Sequence, residues 1–270
     1  MKADLHTHTN ASDGFLNRQQ LLRFAQLNGL DAVAVTDHDT MRNSYSLPSD
    51  PIRVIEGVEL SAMDPENGRK VHILCYRPKR PEVLTEYMDY MQEERRRAGE
   101  VMLEKLRKRF PVISDELLEP YLAQSAVFYK QYAMQILQDY GYTTEIYGPL
   151  YGELFDDPYG SCFEQLNYGE MREVARIARK ADGVVVFAHP SVYRSMQALE
   201  KMAAEGEIDG IEVYHPRNTE EDMETMMQLA ARHGLIITGG SDYHARTTKR
   251  TNIIGSCTAP EETVRLLLER

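Results

Sequence analysis

Short strand-like apolar runs alternate with helix-length segments along most of the chain, and the histidines gather in the runs. The runs cover residues 2–8, 32–38, 53–62, 70–76, 183–189, 210–215 and 235–242, with a weaker one at 252–256. Helix-length segments fall at 17–28, 81–110, 170–181, 195–205, 219–232 and 260–270. Gly29 and Gly234 follow two of them, where a helix-ending glycine belongs. Repeated strand–helix units predict a parallel α/β fold. Seven or eight units favour a closed barrel over an open sheet, with function at the carboxyl ends of the strands. Seven of the eight histidines sit in or at the ends of these runs: His6, His8, His38, His72, His189, His215 and His244. Only His233 lies in a helix-like stretch. A ring of strand-end imidazoles and carboxylates is what a site for several metal ions requires.

One stretch breaks the alternation. Residues 112–168 show no strand–helix unit and hold nine of the sixteen tyrosines. This segment is expected to be a mainly helical insertion, or cap, projecting over the site. The barrel would then comprise residues 1–111 and 169–270.

Composition narrows the partners. A net charge of −11 disfavours duplex DNA and acidic membranes. It leaves an anionic small molecule open, because bound cations reverse the field locally. Cys75, Cys162 and Cys257 are widely spaced and form no CxxC pair. A zinc ribbon and a disulfide framework are therefore not expected, and a cytoplasmic location is. No signal-peptide core and no run of about 18 apolar residues is visible. Nothing in the sequence indicates an oligomeric state.

His6 and His8 are two apart on a strand, so both point to one face and can share one ion. Asp242 and His244 repeat that spacing at the last strong strand. Glu59 lies inside an apolar strand, where a carboxylate needs a partner: a metal or a buried cation. Asp13, in Ser12-Asp13-Gly14, also reads as a turn residue. His72 and His189 each read alone as core histidines. Cys75, an odd number of residues from His72, faces the other way and is not counted as a ligand. Nitrogen and oxygen donors without thiolate suit manganese, iron or zinc, and magnesium less well.

Taken together, Asp4-Leu5-His6-Thr7-His8, Ser12-Asp13-Gly14, Thr36-Asp37-His38-Asp39, Gly57-Val58-Glu59, Val71-His72, Ala188-His189-Pro190 and Ser241-Asp242-Tyr243-His244 resemble the polymerase and histidinol phosphatase (PHP) family. The resemblance implies a distorted TIM-like (β/α)7 barrel with two or three divalent ions. It would place one ion on His6, His8, Glu59 and Asp242, a second on Glu59, His72 and His189, and a third on Asp13, His38 and His244. Many members carry histidine where this chain has Asp13. The implied activity is phosphoester hydrolysis by a metal-bridging hydroxide. Three divalent ions, three carboxylates and one hydroxide leave a charge of about +2, which a phosphomonoester dianion balances.

Asp37 is expected to support the ligands, Asp39 to cap a helix, and His215 to contact phosphate or protonate the leaving oxygen. Arg95, Lys130 and Arg246 are the candidates for further substrate contacts; most of Arg95, Arg96 and Arg97 should be solvated. In layout the chain resembles stand-alone PHP phosphoesterases acting on nucleoside 3′,5′-bisphosphates or on the 5′ ends of short oligonucleotides. In that subgroup the insertion carries an Arg-Pro-His element. Here residues 127–131 read Val-Phe-Tyr-Lys-Gln, with Lys130 available in place of the arginine and nothing in place of the histidine. A histidinol-phosphate-type phosphatase, an amidohydrolase and a non-catalytic metal-stabilised module are the alternatives.

Overall fold

The computed structural model describes residues 1–247 and 252–270. Seven strands form one sheet in sequence order: β1 Ala3–Thr7, β2 Ala32–Val35, β3 Arg53–Asp64, β4 Arg69–Tyr76, β5 Val184–Phe187, β6 Gly210–Tyr214 and β7 Ile236–Gly239. The sheet curls into a nearly closed barrel. A parallel bridge between Thr7 and Tyr243 ties β1 to the segment after β7, with the His8 amide donating to the Tyr243 carbonyl at 2.9 Å. Asp4 reinforces this closure. Its carboxylate accepts from the Ser241 amide (2.9 Å), the Ser241 hydroxyl (2.5 Å) and the Gly255 amide (2.7 Å). Burial pushes the Asp4 pKa up to about 6 against the pull of those donors. The weak run at 252–256 is not a strand: its described residues form a turn that feeds these contacts.

The all-parallel expectation fails at one strand. β4 runs antiparallel to both β3 and β5. The cause is local: residues 65–68 make a tight turn, with Gly68 at φ +66°, and Asp64 pairs with Arg69. A connection this short cannot hold the crossover that a parallel neighbour needs. Reversal brings His72, near the start of β4, opposite Ser61 at the far end of β3. His72 thus reaches the same barrel end as the other histidines.

Alternation then sorts the side chains. Glu59 shares a face of β3 with Ile55 and Gly57, and His72 shares a face of β4 with Leu74 and Tyr76. The opposite face, with Val58, Leu60, Ile73 and Cys75, joins the helices in one apolar cluster. Nine α-helices are present among the described residues: α1 Arg18–Leu27, α2 Thr85–Arg109, α3 Asp115–Ser125, α4 Lys130–Asp139, α5 Pro149–Phe155, α6 Met171–Lys180, α7 Met196–Ala204, α8 Glu220–His233 and α9 Glu261–Glu269. Asn17 opens α1 and Thr219 opens α8 with capping boxes, and Gly234 closes α8 in the left-handed region. α2 buries Tyr87, Met91, Ala98, Met102 and Leu106, a helical spacing that lays one stripe into this cluster.

Segment 112–168 contributes α3, α4 and α5. Its Leu118, Phe128, Met134 and Leu154 run into the same cluster as α2 and the outer face of β3 and β4. Its tyrosines divide: Tyr129 and Tyr132 are buried, whereas Tyr140, Tyr142 and Tyr159 are exposed. Among the described residues, no helix is long and apolar enough to cross a membrane.

Candidate metal centre

Glu59 is the hub of the site. One oxygen, Oε1, lies 2.5 Å from His72 Nδ1 and 2.9 Å from His189 Nε2. The other, Oε2, lies 3.2 Å from His6 Nε2, 3.2 Å from His8 Nε2 and 3.1 Å from His38 Nδ1. Asp242 Oδ1 faces the same two nitrogens, at 3.6 Å from His6 and 3.4 Å from His8. Asp13 Oδ1 sits 3.0 Å from His244 Nε2, 3.8 Å from His38 Nε2 and 3.7 Å from His8 Nδ1. The structure thus brings together all nine residues that the family resemblance named as ligands. Their donor atoms fall into compact groups: His6, His8 and Asp242; His6, Glu59 and His189; His38, Glu59 and His72; and His8, Asp13, His38 and His244.

Each position follows from local structure. His6 lies on β1 and His8 directly follows it; Glu59 is fixed by Asp39 N–H donating to its carbonyl at 3.0 Å. His189 and Asp242 leave their strands at φ 23° and φ 51°, in the left-handed region that non-glycine residues avoid. Such strain, held by surrounding structure, is characteristic of functional positions.

The donor set fits divalent ions. Two ligands at right angles, each about 2.1 Å from one ion, stand about 3 Å apart, as these nitrogens and oxygens do. His6 Nε2, His8 Nε2, His38 Nδ1 and Glu59 Oε2 are buried without a hydrogen-bond partner among the described residues. Four such atoms converging on one point are costly unless something binds them. Cys75 takes no part: it packs beneath the helices, and burial pushes its thiol up to about 12.

Glu212 lies outside the motif set. It is fully buried on β6, accepts from the His189 amide at 2.9 Å and faces His6 Nδ1 at 2.9 Å. This is the carboxylate–histidine pairing that orients a ligand and raises its basicity. A carboxylate inside Gly210-Ile211-Glu212-Val213 carried the same signal as Glu59. Replacing Glu212 by Gln keeps the shape and removes the charge. It is expected to weaken ion binding about 10–100-fold, measured by competition with a chromogenic chelator.

The remaining candidates divide. Asp37 does not line the cavity beside the cluster. It accepts from Thr9 N–H (2.7 Å), Thr9 Oγ1 (2.6 Å) and Ser12 Oγ (2.5 Å), and so braces the loop that follows His8. Asp39 caps no helix; it binds Ser61 and Arg95. His215 is 2% exposed and sits behind Asp242, with Nε2 3.4 Å from Asp242 Oδ2. Its Nδ1 accepts from the Arg217 amide at 3.2 Å, so the proton resides on Nε2 and points at Asp242. Arg95 does reach the cavity wall, held by Asp39 (2.6 Å) and Ser61 (2.8 Å), with Tyr129 beneath it. Arg96 and Arg97 pair with Glu93 and Glu94 instead. Lys130 lines the cavity with its ammonium 4.7 Å from the Phe163 ring centre. Arg246 is exposed and stacks on Phe15 at 3.7 Å, away from the cavity wall.

Carboxylates dominate the protonation of the site. Burial opposes the charged form of His8, but Asp242, Glu59 and Asp13 overcome it and push the pKa up to about 10. His6 is raised by Glu212, Glu59 and Asp242, again against burial. Burial likewise opposes ionisation of Asp13, yet His244 and His38 hold its carboxyl below the usual range. His38 is pushed down by burial. Below about pH 10 His8 therefore carries a proton that an incoming ion must displace, because an imidazole ligates only when neutral. Ion uptake is expected to release protons, and affinity should fall progressively as the pH is lowered below about 10. Calorimetry in two buffers of different ionisation enthalpy measures the release.

No family model matches the chain. It is 33% identical over 252 residues to the phosphoribosyl 1,2-cyclic phosphate 1,2-diphosphodiesterase of Eggerthella lenta, covering 91% of this chain and 95% of that protein. The 5′-3′ exoribonuclease Rnm of Escherichia coli is 26% identical over 254 residues, with 89% and 84% covered. A crystal structure described as that of a metal-dependent phosphoesterase from Bifidobacterium adolescentis superposes with a TM-score of 0.84 at 28% identity, over 98% of this chain and 95% of that one. With the motif set and the site geometry already in place, these likenesses settle the family: the chain belongs to the PHP metal-dependent phosphoesterases, hydrolases of phosphoric ester bonds.

Proposed function

We propose that the protein hydrolyses a small phosphate ester of a ribose-type alcohol that carries a ring and a second anionic group. The observation that carries this reading is the two-ended cavity. One end is the imidazole–carboxylate cluster; the other presents Arg95, Lys130 and Lys70 among Tyr129, Tyr168 and Phe163. That pocket, of about 160 Å³, shares Lys70, His72 and Lys130 with a larger cavity of about 770 Å³ that opens on Glu59, His189 and Asp242, and the two together suit a nucleotide-sized ligand. Both curated relatives described above act, by name, on ribose-linked phosphates.

In this reading His6, His8, Glu59 and Asp242 hold one ion, Glu59, His72 and His189 a second, and Asp13, His38 and His244 a third. Manganese, iron and zinc match these donors. Such ions, when bound, lower the pKa of water and neutralise charge developing on the phosphoryl oxygens. The protein's own groups do the rest. Asp39 and Ser61 fix the Arg95 guanidinium, so little rotamer freedom is lost when it meets an anion. Glu212 fixes His6, and His215 fixes Asp242. His215 is read here as a support for Asp242, not as the proton donor to the leaving oxygen.

Phosphate release by the manganese-loaded protein tests the reading. The panel holds adenosine 3′,5′-bisphosphate, a 5′-mononucleotide, a 5′-phosphorylated oligonucleotide and histidinol phosphate, with His189→Ala as control. Turnover of the bisphosphate above the mononucleotide, lost in the control, is expected. Preference for histidinol phosphate, or silence throughout, contradicts it.

A further inference from the structure

Asp13 rides on the loop after β1, not on a strand. The loop folds tightly: the Ser12 and Gly14 amides both donate to the Thr9 carbonyl, at 3.2 Å and 3.0 Å. A Cβ on Gly14 would lie 2.4 Å from the His8 carbonyl oxygen. The two Asp13 oxygens face different parts of the molecule. Oδ1 looks at His244, His8 and His38. Oδ2 accepts from Gln131 Nε2 at 3.0 Å, in the first turn of α4. The same amide nitrogen donates to the Tyr147 hydroxyl at 2.9 Å. One residue on, the Tyr132 hydroxyl donates to the Ser12 carbonyl at 2.5 Å. Gln131 and Tyr132 are 9% and 4% exposed, so both bonds are shielded from water. Two successive residues of α4 thus hold the side chain and the backbone of one short loop.

The chemistry of the contact is specific. A primary amide fixes one carboxylate oxygen without bringing a charge. A lysine or arginine there would compete with a cation for the same carboxylate. With Oδ2 occupied by Gln131, Oδ1 keeps its full negative character toward the three imidazoles. We infer that Gln131 is a positioning residue for the ion site of Asp13, His38 and His244, and that this site is complete only when α4 is docked on the barrel. The inference rests on the reading of the cluster as an ion centre.

Manganese titration of chelator-treated protein, read as ions per chain and their dissociation constants, provides the test. Gln131→Met preserves bulk and removes the donor. It should weaken one ion about 10–100-fold while the others and the melting temperature stay near wild type. Asp13→Ala should lose that same ion, and adding Gln131→Met to it should change nothing further. Tyr132→Phe, a milder change, should weaken the same ion to a smaller degree. Wild-type affinities in Gln131→Met overturn the inference, as does uniform weakening of every ion together with a fall in melting temperature. Should Gln131→Met not fold, Tyr132→Phe decides alone, and wild-type binding there overturns the inference. Wild-type protein that takes up no manganese overturns the ion reading itself, a result distinct from all of these.

Discussion

Glu59→Gln is expected to lower phosphate release at least about 10³-fold and to strip the centre of tightly held ions. The substitution is nearly isosteric, so the shape of this fully buried side chain is kept. What is lost is a charge whose two oxygens face five imidazoles. No neighbour can take over, because Asp242 faces only His6, His8, His215 and His244 among the imidazoles, and Asp13 only His8, His38 and His244. Burial raises the cost of a bare Glu59 carboxylate, yet its pKa stays well below the usual range because His72, His6 and His38 surround it. Elemental analysis after dialysis, alongside phosphate release, measures both losses. A Glu59→Gln protein with normal ion content and normal turnover would remove the hub from the account.

The second large effect is on the fold. Gly240→Ala is expected to destabilise the protein by about 3 kcal/mol or more. A Cβ at this position would stand 2.3 Å from His6 Cβ and 2.5 Å from the His6 backbone nitrogen. Backbone cannot yield as a flexible side chain can, so the closure between β1 and the segment after β7 must open. The melting temperature should drop by roughly 5–10 °C. Ion binding should weaken with it, since His6 moves. Gly234→Ala is the informative comparison. Gly234 has φ +65° and open space around its missing Cβ. Alanine there is strained at the end of α8 and costs about 1 kcal/mol, with ion binding intact. Equal loss of ions in both variants would mean that stability, not the position of His6, governs the centre.

How much of this was legible in the chain follows from distance along it. His6 and Glu59 lie on apolar strands, where period-two alternation places their side chains without tertiary information, and His8, His38 and Asp242 follow one to three residues beyond the ends of such strands. The reversal of β4 was written in Asp64-Pro65-Glu66-Asn67-Gly68, a turn too short for a crossover, although the regular alternation elsewhere favoured a parallel strand. Glu212 was legible by the same argument as Glu59, since a carboxylate in an apolar strand needs a partner. His215 stood at a strand end like the others, and only the Arg217 amide on its Nδ1 shows which way its proton points. Gln131 could not be found from sequence. Its partner Asp13 lies 118 residues away, and glutamine in the first turn of a helix is an ordinary surface choice. Arg95 and Arg96 are adjacent and alike; α2 turns one to the cavity and the other to Glu93.

The proposed function requires the cluster around Glu59 to bind several divalent ions and to need them for hydrolysis of a phosphate ester. The most direct measurement is elemental analysis of the manganese-loaded, desalted protein, paired with phosphate release before and after chelation. Two to three ions per chain are expected, with turnover abolished by the chelator and restored by manganese in proportion to the ions regained. Fewer than one ion per chain, or turnover that survives complete removal of metal, would contradict it.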